Sequence, residues 1–103
     1  MIKEIAWHKF ELRESVKVRQ AQTLMQLGKR HENGDIDEID MALGTIAGLL
    51  ISINSDTDST KFIDWMKDNL ETSEMTELSE AVMEIVNSFV KKNENSPTNT
   101  KLS

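Results

Sequence analysis

The run Asp35–Ile53, DIDEIDMALGTIAGLLISI, sets the architecture of this chain. Its residues Ile36, Ile39, Leu43, Ile46, Leu50 and Ile53 recur at spacings of three and four, the repeat of one helix face. Ala47 and Leu49 widen that stripe, so the spacing predicts a central core helix over 35–54. Asp35 is placed to cap it, with Glu38 in the capping-box position, and Asp37 and Glu38 suit the positive end of the helix dipole. Gly44 and Gly48 each cost a helix about 1 kcal/mol relative to alanine. Their compensation is expected to be close approach by another backbone, from this chain or from a partner.

Upstream of this helix, His31-Glu32-Asn33-Gly34 reads as a connection, with Asn33-Gly34 a strong turn dipeptide. A helix over 15–31 precedes it, opened by Ser15 and closed by Lys29 and Arg30, whose charge suits the negative end of the dipole. Before that, Lys9-Phe10-Glu11-Leu12-Arg13 alternates strictly, and Ile5 and Trp7 alternate likewise. The spacing predicts extended chain over 1–14, two short strands paired around Trp7–Lys9 as a hairpin whose apolar face rests on helices. Downstream, Asn54–Thr60 is a polar loop. Helices follow over 59–70, carrying Phe62, Ile63, Trp65, Met66 and Leu70, and over 73–92, carrying Met75, Leu78, Val82, Ile85, Val86 and Phe89. Past Lys92 no apolar period survives and Pro97 opposes helix, so residues 93–103 read as a disordered tail. The expected fold is mainly α: one domain over 1–92, a bundle of about four helices with a short N-terminal hairpin.

Composition agrees with a small folded domain. The chain has 103 residues, 38% hydrophobic and 29% charged, with one proline. It has no cysteine, which excludes a disulfide framework, a thiolate zinc site and a cysteine nucleophile. The apolar stretch Met41–Ile53 is 13 residues long, whereas a membrane span needs about 20. The start of the chain has no apolar leader core, so the protein is expected to stay in the cytoplasm. The net charge of −6 hides an asymmetry: +4 over residues 1–30, −12 over 31–90 and +2 over the last thirteen. An acidic body of that kind is expected to bind neither nucleic acid nor an anionic membrane.

The raw material for catalysis or metal binding is thin, and neither activity nor cofactor is expected. His8 and His31 fall at a turn and a helix end, with no acidic residue at ligand spacing, and read as surface histidines. The four glycines match no phosphate-binding loop. Asn54-Ser55-Asp56-Thr57-Asp58-Ser59 resembles the opening of a calcium loop. The match then fails, because Ser59 stands where glycine is required and Trp65 where the bidentate glutamate should be. The acids Glu32, Asp35, Asp37, Glu38 and Asp40 are explained by their place at a helix N-terminus.

The order of features carries more information than any one of them. An apolar-x-Trp7-x-Lys9-Phe10-Glu11-Leu12-Arg13-Glu14 segment leads directly into a helix, followed by acid-rich amphipathic helices and a short polar tail. Over residues 3–90 this order resembles the small tail assembly chaperones of long-tailed bacteriophages and prophages, many of which open on a similar K-F-x-L-R-E segment. The resemblance implies a non-catalytic protein that binds the tape measure protein and recruits tail tube subunits to it. It would work in the cytoplasm of the infected bacterium and be absent from the mature virion. It also implies a longer frameshifted form, with which Lys91-Lys92-Asn93 is compatible. The family lends no residue-level binding motif, so candidate contact residues come from chemistry. They are Trp7 and Trp65, because tryptophan is enriched at interface hot spots, with Phe10, Met66, Gly44 and Gly48. Two other readings compete: a connector-type adaptor that remains in the particle, and an acidic inhibitor of a basic partner. The stripes of the second and fourth helices also allow self-association.

Overall fold

The computed structural model describes residues 1–94. Most of them are helical, and a small three-stranded antiparallel sheet accompanies four helices. Strands β1 (Ile2–Ile5) and β2 (His8–Leu12) form the expected hairpin, with Ile5 opposite His8 and Lys3 opposite Phe10. Helix α1 (Val18–Glu32) turns at Gly34 into α2 (Glu38–Leu49). Gly34 has φ +79°, the left-handed backbone that the Asn-Gly dipeptide promised.

The central helix is shorter than its apolar period. It ends at Leu49, and Leu50–Ile53 forms a third strand, β3, which pairs with β2 through Phe10–Ile53 and Glu11–Ser52. The expectation of helix through 54 is therefore corrected, for two physical reasons. Ile51 and Ile53 are β-branched and Ser52 is a poor helix former, so the end of the run favours extended chain. The free edge of β2 also needs partners for its backbone groups. Residues 49–54 supply them, with Arg13 N–H donating to the Leu49 carbonyl at 2.8 Å and Asn54 N–H to the Lys9 carbonyl at 2.7 Å. Leu50 and Ile53 are buried in either reading, which is why spacing did not separate them.

Other boundaries shift by a few residues. Val16 is drawn into the core, so α1 starts at Val18 rather than at Ser15, with Gln20 Oε1 accepting the Lys17 N–H at 3.1 Å. Asp37, not Asp35, caps α2, its Oδ1 accepting from Asp40 N–H at 2.8 Å. A single 3-10 turn (Ser59–Lys61), capped by Asp58, leads into α3 (Phe62–Asn69). The last helix, α4, spans Thr72–Glu94 and so takes in the first two residues of the expected tail; the rest of that tail lies outside the described residues.

One buried cluster joins these elements. Ile5, Phe10, Leu12, Leu50 and Ile53 from the sheet meet Leu43, Ile46 and Leu49 of α2, Phe62 and Met66 of α3, and Leu78, Val82 and Ile85 of α4. Helix α2 lies between α1, α3 and α4, while α4 also reaches β1. Helix α1 differs from the rest: none of its residues is fully buried, and its main packing partner is α2. A bundle with an appended hairpin is therefore replaced by a sheet and three helices around one core, with α1 laid on the outer side of α2.

Candidate contact surfaces

The segment that carries the family resemblance divides into two kinds of residue. Phe10 and Leu12 are completely buried, because alternation in β2 aims both at the helices. Phe10 was expected at a contact surface and lies instead at the centre of the core. The same correction applies to Met66, which is 1% exposed where α3 packs on α2.

Trp7 is the opposite case. The strands were expected to pair around Trp7–Lys9 with Trp7 packed on the hairpin face; the turn falls at Ala6 and Trp7, and the indole is 89% exposed. Ala6 and Trp7 are the two residues between paired Ile5 and His8, with φ of 49° and 58°. Two left-handed central residues define the turn whose twist matches a hairpin, and asparagine and glycine are the residues that fit it. A non-glycine residue in this region costs about 1–2 kcal/mol. The largest side chain in the protein is thus held in water at a strained position.

The neighbouring turn repeats the pattern. Asn54 and Ser55 have φ of 50° and 72°, between the bridged residues Ile53 and Asp56. Asn54 Oδ1 accepts the Lys9 N–H at 2.8 Å, and its amide nitrogen lies 3.2 Å from His8 Nδ1, which ties the two turns together. His8 therefore sits in β2 and not at a turn. Its ring meets Trp65 edge-on at 4.8 Å, and Phe10 meets the same indole at 5.9 Å. Trp65 is half-buried in this aromatic group, as favourable edge-to-face packing requires.

Gly44 and Gly48 face α1, but what approaches them is side chain rather than backbone. A Cβ on Gly44 would stand 2.9 Å from a Leu27 methyl, and one on Gly48 would be 3.9 Å from the Thr23 methyl. Gly44 thus makes room for Leu27, while nothing among the described residues requires a glycine at 48.

The loop that resembled a calcium site uses its oxygens on itself. Asp56 Oδ1 accepts from Asp58 N–H at 3.0 Å. Asp58 Oδ1 accepts from the Thr60 hydroxyl at 2.6 Å and its N–H at 3.1 Å. These bonds, the hydroxyl first, hold the Asp58 carboxyl below its ordinary value of 3.8. Among the described residues no group of three His, Asp or Glu is placed to hold a metal ion, and no helix is long and apolar enough to cross a membrane.

Spacing did not foretell a groove of about 530 Å³ between α2 and α4. Its floor is Ile39, Ala42, Met75 and Met83, and its rim carries Glu38, Glu80 and Glu84, with no basic residue. The acids were legible as a solvated face of α4, but their meeting with Glu38 depends on how two distant helices cross.

No family model, curated protein or solved structure matches the chain.

Proposed function

We propose that this protein is a tail assembly chaperone of a long-tailed phage or prophage. It holds the helical tape measure protein and brings tail tube subunits to it, in the bacterial cytoplasm and without catalysis. The order of sequence features suggests the family, and Trp7 is the observation that carries the reading. Core packing accounts for Phe10 and Leu12 of the shared Lys9–Glu14 segment, and Trp7, two residues before it, is the large apolar side chain left in water. An exposed tryptophan at a strained turn destabilises the free protein and suits a hot spot that becomes buried in a complex. Trp65 and His8 form the half-buried shoulder beside it.

The test is capture of partners by the whole chain from the bacterium that makes it, with the Trp7→Gly variant alongside. A very long helical protein and a tube subunit should be retained by the native chain and depleted at least tenfold by the variant. Equal retention by both would remove Trp7 from the interface. The inhibitor reading instead predicts a basic partner that is lost steeply as salt rises.

A further inference from the structure

The acid-rimmed groove between α2 and α4 has a matching surface within the same sequence. Helix α1 and its cap, residues 17–32, carry Lys17, Arg19, Lys29 and Arg30 against one acid, Glu32 at the C-terminal end, and all four cations are exposed. Between them Val18 and Met25 stand 76% and 67% exposed on a helix that buries none of its residues fully. The dimensions agree as well as the charges. At 1.5 Å per residue, Val18 and Met25 are about 10 Å apart along α1, and Met75 and Met83 about 12 Å apart along α4.

The geometry points to α1 of one copy of this chain docking in the α2–α4 groove of another. Val18 and Met25 would lie on Ile39, Ala42, Met75 and Met83, with the flanking cations over Glu38, Glu80 and Glu84. A copy cannot satisfy its own groove. Its α1 occupies the side of α2 that bears Gly44 and Gly48, roughly opposite on the helix to Ile39 and Ala42 at 100° per residue. The contact is therefore heterologous, and repetition builds an open chain or a ring rather than a closed pair. It employs none of the residues at the hairpin tip, so it stands independently of the client contact assigned to Trp7.

Sedimentation equilibrium of the full chain over micromolar to millimolar concentration tests this, with two exposed double variants. V18E/M25E removes the α1 surface using residues that favour helix, and I39Q/M83Q removes the groove floor at positions 53% and 42% exposed. Circular dichroism checks that each is folded. The native chain should grow past dimer mass as concentration rises and shrink again in molar salt, and each variant alone should be monomeric. An equimolar mixture should stop at dimer, because one intact α1 and one intact groove remain in the pair. A native chain that stays monomeric at every concentration overturns the proposal and leaves the groove to a basic helix of another protein. Oligomers that persist in either variant, or a mixture that stays monomeric while the native chain associates, overturn it equally.

Discussion

Replacing Trp7 with glycine, alone or together with Ala6→Asn, perturbs the turn where the protein carries an unrewarded strain. Both positions are left-handed, with φ of 49° and 58°. The side chain of Trp7 is 89% exposed, so its removal gives up almost no buried apolar area. Relief of the left-handed penalty is worth about 1–2 kcal/mol at Trp7. Against it stands the greater unfolded-state freedom of glycine, about 0.5–1 kcal/mol. The balance for W7G is a gain of between zero and about 1.5 kcal/mol. Adding Ala6→Asn completes the Asn-Gly pair that this turn prefers and brings the gain to about 1 kcal/mol or slightly more. For a domain of this size that raises Tm by about 4–8 °C. Urea unfolding followed by circular dichroism, with a thermal melt beside it, reads the change directly. A loss of more than about 1 kcal/mol in either variant would refute the reasoning, because it would mean that Trp7 packs against the protein or that the turn is not left-handed.

Four further outcomes follow from particular contacts. Gly48→Ala should stabilise by about 1 kcal/mol, since its Cβ meets the Thr23 methyl at 3.9 Å and helix propensity is then the whole effect. Gly44→Ala should be close to neutral in the same urea titration, because Leu27 must give way at 2.9 Å. Phe10→Ala should cost about 3–5 kcal/mol, visible as a large drop in the urea midpoint, because the ring is completely buried against Trp65. Asp58 has a folded pKa lowered below 3.8, so its stabilisation is present above that pH and is lost as pH falls through the folded value. Carboxyl NMR should place its midpoint below 3.8, and D58N should flatten the lowest part of the acid-unfolding curve.

How far the sequence foretold this fold depends on which physical rule was acting at each place. Helical spacing found all four helices because each turns one apolar stripe toward the core, half-buried in α1, and strict alternation found β2 because one of its faces is core. Leu50–Ile53 escaped because a residue pair three apart is buried in a helix and, here, in a bulged strand pairing as well. What decided it was the open edge of β2, a tertiary demand with no local signature. The hairpin around Trp7–Lys9 was placed to within a residue, but the exposure of Trp7 was not, because alternation continues through Ile5 and Trp7 and no glycine or asparagine marks the turn that interrupts it. A two-residue loop between Ile5 and His8 is recognisable only from the pairing itself.

The candidate contact residues show the same division. Tryptophan, phenylalanine and methionine are chosen by nature for interfaces and for cores alike, so residue type alone put Phe10 and Met66 beside Trp7. Gly44 proved to be a seat for Leu27, and Gly48 has no seat to provide. The groove between α2 and α4 was beyond spacing altogether, since Glu38 and Glu84 belong to helices that meet only in the folded chain.

Partner capture from the native bacterium, comparing the unaltered chain with W7G, bears most directly on the central claim. The account predicts that the unaltered chain retains a very long helical protein together with a tail tube subunit. It predicts that W7G, folded and no less stable, loses both. Retention of a short basic or DNA-binding protein instead, or of the same partners by both chains, would contradict it.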